Sequence, residues 1–405
     1  MKKCDVLIIG GGPAGSMAGL KLLQSGYEVE IIEKVKFPRF VIGESLLPRC
    51  NELLEEVNLL DVVKEANFQF KGGVAFENEN NDLKVVHFEK NMGQKHNSSF
   101  QVRREVFDKL LLDEAVKRGA KLSMESTVID YNEDENIVLV EHKGGEREEY
   151  QAKKVIDASG YGRVLPRLLN LESDASAPMR NAVFCRVEND ERPSDGTDGY
   201  IYVYVVGDNE AWIWNIPLSE TVTSVGIVCS DDYYQTFNTT PHKFFDLMID
   251  KNLHAKKRYA SAVKINEVGL ISGYSSNVSR MFGKNFVMVG NATEFLDPVF
   301  SSGVTLALES GFKAGELTAM ELEGKCVDWE KEYEEYMMVG IDVFREYVEA
   351  WYDGRLQEIL FSKRATSDKV DRKIVSVLSG YVWDKNNMFV HSPKEAVNIT
   401  HNLLS

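Results

Sequence analysis

The sequence predicts an α/β fold: a Rossmann-like nucleotide-binding domain, a second, α+β domain built on an antiparallel sheet, and a helical C-terminal tail. Three observations predict it. Residues 4–34, CDVLIIGGGPAGSMAGLKLLQSGYEVEIIEK, read as strand, turn, helix and strand. Residues 187–230 alternate apolar and polar positions between turn signals, as antiparallel strands do. Residues 328–405 carry apolar side chains at helical spacing.

In the first unit, Val6–Ile9 is a short buried run that ends at Gly10. Gly10, Gly12 and Gly15 form G-x-G-x-x-G and frame Pro13 and Ala14. Gly10 permits a tight turn, Gly12 lets the backbone approach a pyrophosphate, and Gly15 lets the helix pack on the strand. The helix start then offers free N–H groups and a positive dipole end to phosphate. Val29–Ile32 forms the second strand, and Glu33 closes it 18 residues after Gly15, where an acid binds a ribose hydroxyl. The motif alone does not choose between nicotinamide and flavin dinucleotides. The chain has no second G-x-G-x-x-G, so a built-in nicotinamide domain is not expected.

Bulk properties narrow the class. At 405 residues the chain is too long for one ordinary core. Lys and Arg number 47 against 63 Asp and Glu, a net charge of −16, with no basic run, so nucleic acid is not an expected partner. Five scattered cysteines without a CxxC pair predict neither a disulfide framework nor a metal site and suit a reducing, cytoplasmic setting. Asp5 and the glycines interrupt the apolar run that would otherwise suggest a secretory signal. No apolar stretch reaches the roughly 20 residues that span a bilayer.

Later segments take the remaining roles. Residues 101–120, QVRREVFDKLLLDEAVKRGA, open a helix, 154–160, KVIDASG, end a strand, and 286–315 run from a strand into a long helix. Gly144-Gly145 marks a hairpin. Residues 1–71, 101–166 and 279–325 are therefore expected to build one discontinuous nucleotide-binding domain. Residues 72–100 and 167–278 are expected to form the antiparallel sheet, and 326–405 the helical region. In that region Phe344, Tyr347, Val348, Trp351 and Tyr352 share a helix face. Such a stripe is more often core than a binding box.

Two stretches call for a chemical explanation. Residues 211–217, AWIWNIP, place Trp212 and Trp214 at equal parity, so on a strand both indoles face one side. Residues 68–78, FQFKGGVAFEN, set Lys71 among phenylalanines and glycines, where burial would lower its pKa and favour a nucleophilic amine. Packing of two indoles into a core, and a solvated lysine at a strand end, are the plain alternatives.

Taken together, these motifs resemble the FAD-dependent monooxygenase and halogenase superfamily, which also includes geranylgeranyl reductases. The resemblance covers residues 1 to about 350. It rests on the N-terminal glycine motif, on Val-x-Arg-x-x-Phe-Asp at 102–108, on Asp-Ala-Ser-Gly at 157–160 and on the 286–315 segment. It points to an FAD domain of the glutathione-reductase/p-hydroxybenzoate-hydroxylase type. It implies that FAD is held by Gly10, Gly12, Pro13, Ala14, Gly15, Glu33 and Lys34, by Arg39 and Ser45, by Arg104 and Val128, and by Ala158 and Gly160. Gly290, Asn291, Pro298, Ser302, Gly303 and Val304 complete the set. Asn291 stands where relatives carry Asp. It can still bond a ribityl hydroxyl but brings no charge.

Within the superfamily, FPRFVIGESLLP (37–48) and AWIWNIP resemble the halogenase branch. There the indoles would keep an organic substrate away from the flavin while a halide, chloride or bromide, reaches it. The halide would rest on amides of the Ser302-Gly303 turn, although the same amides could simply hold the flavin's pyrimidine edge. Lys71 would carry or guide the electrophilic halogen to an electron-rich substrate, free or bound to a carrier, and a separate reductase would supply reduced flavin. Ala211, Val74 and Glu77-Asn78 depart from the halogenase pattern. They leave open a monooxygenase or a dehydrogenase/reductase, geranylgeranyl-reductase-like, acting directly on an organic substrate. A flavin-binding protein without turnover is a third reading.

Overall fold

The strand Lys2–Ile9 is the axis on which the N-terminal half is built, in a computed structural model that describes residues 1–174, 178–273, 276–364 and 367–404. Val6, Leu7, Ile8 and Ile9 are buried on both faces, which suits a central parallel strand. The strand pairs in parallel with Val29–Glu33 on one edge and Arg147–Asp157 on the other. The sheet runs in the order Lys121–Met124, Val29–Glu33, Lys2–Ile9, Arg147–Asp157, Ile137–His142, Ser126–Asn132. Arg147–Asp157 is long enough to serve two neighbours on one edge. Its first half pairs antiparallel with Ile137–His142, and its last three residues pair in parallel with Phe286–Met288. Gly144 and Gly145 turn the hairpin with φ of +106° and +88°.

Two helices pack almost backbone to backbone beneath this sheet. Pro13–Gln24 follows the glycine turn, and Ser302–Leu322 lies against it. A Cβ on Gly311 would stand 2.2 Å from the Ala14 carbonyl oxygen, so glycine permits the close approach. The starts of these two helices are thereby brought side by side.

A second sheet of eight strands faces the first domain. Its order is Val263–Lys264, Arg180–Glu188, Val222–Ser230, Ala211–Pro217, Ile201–Val206, Gly73–Glu77, Leu83–His87, with Gly269–Ser272 also on Arg180–Glu188. The expectation was a wholly antiparallel sheet. One pair departs from it: Ile201–Val206 and Gly73–Glu77 run parallel. These two strands come from separate stretches of chain, so no tight turn forces them to oppose.

The two faces of this sheet have different neighbours. Ala75, Tyr202, Tyr204, Ile213 and Ile227 pack outward on Phe244, Phe245 and Met248 of the helix Pro241–Lys251. Val74, Phe76, Val203, Trp212 and Trp214 point inward to the largest core cluster. The C-terminal helices Glu335–Tyr352, Arg355–Phe361, Asp368–Leu378 and Pro393–Leu404 complete that cluster. Phe344, Tyr347 and Trp351 are buried there, so this part of the aromatic stripe is core. Among the described residues no helix is long and apolar enough to cross a membrane.

Candidate active site

Between the two sheets lies a cavity of about 430 Å³. Gly10, Gly12, Pro13 and Ala14 line one end, together with Glu33, the last residue of the second strand, and Lys34 just after it. Gly10 has φ +101°, and a Cβ there would meet the Ala158 carbonyl oxygen at 2.5 Å. The Glu33 carboxylate accepts the Gly11 N–H at 2.8 Å and the Val35 N–H at 2.7 Å. It is thus fixed at the strand end with further lone pairs free for hydroxyl donors. A Cβ on Gly12 would meet only Arg39 Nη2, at 3.3 Å, so the backbone there is open to a ligand.

The middle of the cavity is cationic. Arg104 is clamped by Asp108, with Nε to Oδ1 at 2.7 Å and Nη2 to Oδ2 at 3.0 Å. Its Nη1 also donates to the Ile42 and Gly43 carbonyls. Arg39 Nη1 lies 3.2 Å from Asp108 Oδ2. Two guanidinium groups thus share one buried carboxylate, which leaves a net positive charge facing the cavity. This favours an anionic ligand such as a pyrophosphate. Arg103, the neighbouring arginine in the sequence, precedes the helix and does not line the cavity.

The loop that carries Arg39 is tied down from behind. Glu44 is buried and accepts from Arg186 Nη2 at 2.7 Å, and Arg186 also binds Glu105 at 2.6 Å. Burial pushes the Glu44 carboxyl up, while Arg186 and a bond from Ser224 oppose the shift. Next to it, Ser45 Oγ is buried, lines the cavity and has no hydrogen-bond partner among the described residues. A buried polar atom without a partner is costly, so Ser45 calls for a polar group in the cavity.

The far end is the indole wall. Trp212 and Trp214 lie on Ala211–Pro217 with ring centroids 6.1 Å apart, and both line the cavity with Ile216, Ile201 and Ala182. Gly226 on the adjacent strand makes room for Trp214, because a Cβ there would stand 2.3 Å from Trp214 Cζ2. Trp214 Nε1 donates to Ser224 Oγ at 3.2 Å. Gly290, Asn291, Pro298, Gly303 and Val304 also line the cavity. Ser301, with φ +57°, turns the chain from Pro298–Phe300 into the helix Ser302–Leu322. The first-turn amides of that helix have no intrahelical acceptor.

Some expected residues lie outside this lining. Val128 is packed in the outer core of the first sheet, next to a register shift between Val128 and Asp130. Gly15 serves packing: a Cβ there would stand 2.0 Å from the Gly10 carbonyl oxygen. Ser302 is buried at the helix start, and Ser301 takes its place in the lining. Ala158 and Gly160 do line the cavity, with Asp157 behind them accepting the Ser159 and Leu165 N–H groups.

Lys71 is also outside the lining, one loop behind it. It is 1% exposed, and its Nζ donates to the Leu46 carbonyl at 2.8 Å and sits 5.2 Å from the Phe88 ring centroid. Burial lowers its pKa to about 7, with Cys50 a small opposing influence. Leu46 follows Ser45, so the amine is joined to the cavity rim through one residue of backbone.

The sequence reading did not single out Asp108, Arg186, Gly226 or Tyr161. Asp108 stood in the helix motif, and its spacing from Arg104 is a helical ion-pair spacing that could have flagged it. Tyr161 follows Gly160 directly, lines the cavity and lies 5.5 Å from the Phe295 ring. Arg186 and Gly226 meet their partners only through folding, and no local signal marks them.

The cradle, the paired arginines, the carboxylate at the strand end and the unpartnered Ser45 hydroxyl fit FAD. Comparison with known proteins agrees. The tryptophan halogenase family model matches residues 5–96 and 79–392. A 1H-pyrrole-2-carbonyl-[peptidyl-carrier protein] chlorinase of Pseudomonas fluorescens is 30% identical over 95% of this chain and 91% of its own length. The corresponding brominase of Pseudoalteromonas luteoviolacea is 26% identical over 95% and 93%. Among solved structures, a flavoprotein/dehydrogenase from Cytophaga hutchinsonii superposes with a TM-score of 0.95 at 41% identity, covering 100% of this chain and 99% of that one. The flavin-dependent brominase Bmp2 shares the fold, with a TM-score of 0.86 at 24% identity, 99% of this chain and 98% of that one. The chain therefore belongs to the tryptophan halogenase family of FAD-dependent oxidoreductases.

Proposed function

We propose that the protein halogenates an electron-rich ring, and that the ring is presented on a carrier protein. Bound FAD, when reduced, supplies the electrons that let O2 oxidise a halide. The observation that carries the reading is the pair Trp212 and Trp214, which line the cavity that fits FAD in a chain of the halogenase family. Lys71, a buried amine behind the cavity rim with its pKa brought down to about 7, is the amine assigned to the halogen. A neutral amine reacts with hypohalous acid to form an N–halogen bond and water. The halogen then passes to a ring carbon, and the ring proton leaves to the amine. In this role Lys71 would hold the halogen away from the flavin. Trp212 and Trp214 line the cavity and would stand beside bound flavin, where a monooxygenase would admit its organic substrate. The amides at the start of Ser302–Leu322 offer the halide its place. Carrier presentation is supported by the names of the chlorinase and brominase relatives.

Replacing Lys71 with Ala should abolish organohalide while bound FAD is still reduced and reoxidised. Halogenated product from that variant would remove Lys71 from the mechanism.

One observation favours a second reading, direct oxidation or reduction of an organic substrate: the 41%-identical structure is described as a flavoprotein/dehydrogenase. Reduction of the bound FAD by NAD(P)H that is accelerated by an organic compound, with no effect of halide on reoxidation, would favour it.

A further inference from the structure

We infer that Tyr352 is a positioning residue for the flavin-facing wall: its hydroxyl links the Trp212 indole to the Asp297 carboxylate, so the C-terminal helices hold the wall and the turn before Ser302 in one arrangement. The inference rests on the reading of Trp212 and Trp214 as a barrier beside FAD.

The two indoles are held differently. Trp214 is fixed by its own sheet, through Ser224 Oγ at 3.2 Å and the space over Gly226. Trp212 has no such local hold. Its Nε1 donates to Tyr352 Oη at 2.8 Å, a residue 140 positions later. Tyr352 Oη in turn donates to Asp297 Oδ2 at 2.9 Å. Arg180 Nε lies 3.4 Å from the same carboxylate oxygen, and its guanidinium covers the Tyr352 ring at 3.4 Å from the centroid. The other oxygen, Asp297 Oδ1, accepts the Val299 N–H at 3.1 Å and so sets the turn Pro298–Phe300.

Four elements therefore meet around the Tyr352 side chain. They are the wall strand, the last residue of Glu335–Tyr352, the first residue of Arg180–Glu188, and the turn that leads into the start of Ser302–Leu322. Trp212 and Asp297 are both buried. Loss of the hydroxyl removes the acceptor that the buried indole N–H has among the described residues, which favours a turn of the ring toward another partner. Tyr352 does not line the cavity, so any effect it has on bound FAD passes through Trp212 or the turn.

The test is a double-mutant cycle on oxidised, FAD-loaded protein, using Tyr352→Phe, Trp212→Phe and both together. Two quantities are read: the FAD dissociation constant and the emission lifetime of bound FAD, which a nearby indole shortens. Tyr352→Phe should weaken FAD binding by about fivefold and lengthen the lifetime. In the Trp212→Phe background, where no N–H needs an acceptor, the same substitution should change binding by less than about twofold. Independent, multiplying effects, or a Tyr352→Phe protein indistinguishable from wild type, would overturn the inference. If Tyr352→Phe does not fold while the double variant does, the coupling is again supported. If neither folds, Tyr352 acts by packing and the inference falls. None of these readings uses halide or organic substrate, so the outcome is separable from that of the halogenation proposal.

Discussion

Lys71 shows what burial does to a single charge. Its amine has one backbone acceptor and no carboxylate, and desolvation takes its pKa from 10.5 to about 7. In the unfolded chain the amine stays protonated to about its ordinary value. Between pH 7 and 10.5 the unfolded state therefore binds more protons than the folded one, and this residue makes stability rise with pH across that window. Below pH 7 its penalty is present in full. Lys71→Met should accordingly be more stable than wild type at pH 7, by an amount on the order of a few kcal/mol. That advantage should shrink as the pH approaches 10. Urea unfolding of both proteins at pH 7 and pH 9.5 checks it, because the other titrating groups cancel in the comparison. The same residue predicts a pH dependence of the chemistry. In the proposed role of Lys71 the neutral amine takes up the halogen, so product formation per flavin oxidised should rise through about pH 7.

At the scale of elements, the wall strand depends on its neighbours as much as on its own sequence. Trp214 fits because Gly226 carries no side chain. Gly226→Ala should push the indole into the cavity and cost about 1–3 kcal/mol of stability. A titration of that variant with FAD should show weaker binding. Wild-type affinity would mean that the ring has room to move elsewhere. The sheet also explains how the wall and Phe76 come to share one face. Val203 stands opposite both Trp214 and Phe76, so the strand of Phe76 lies two strand spacings from the wall, about 10 Å. Phe76 packs on Phe300 and Trp351, which closes the space between the wall and the C-terminal helices.

For the whole molecule, FAD joins regions that are far apart in the chain. Its expected ligands come from the first strand-turn-helix unit, the 37–48 loop, the helix Arg104–Lys117, the 157–161 turn and the 290–304 segment. FAD at 100 times its dissociation constant should therefore raise the unfolding free energy by about 2.7 kcal/mol. Thermal unfolding with and without added FAD measures this. An unchanged midpoint would contradict the cradle as described. Much of the cradle was legible in the sequence because its turns need particular residues: Gly10 for its positive φ, Gly12 for its open backbone, Glu33 for its place at a strand end. The equal parity of Trp212 and Trp214 likewise gave the wall, since side chains alternate along any strand. Partners set by tertiary contact were not legible. Arg186 reaches Glu44 across 142 positions, Tyr352 reaches Trp212 across 140, and the parallel pairing of Gly73–Glu77 depends on how two distant stretches meet.

The measurement that tests the central claim most directly is a single turnover with halide as the variable. The FAD-loaded protein is reduced without oxygen and mixed with oxygenated buffer, with or without bromide, in the presence of a 1,3-diketone that traps electrophilic halogen. Flavin reoxidation and brominated trap are both followed. The account predicts that bromide changes the course of reoxidation and that brominated trap forms, while Lys71→Ala keeps the effect on the flavin. Reoxidation indifferent to bromide, with no brominated trap, would contradict it: the indoles would then be packing, and the flavin would act on an organic substrate directly.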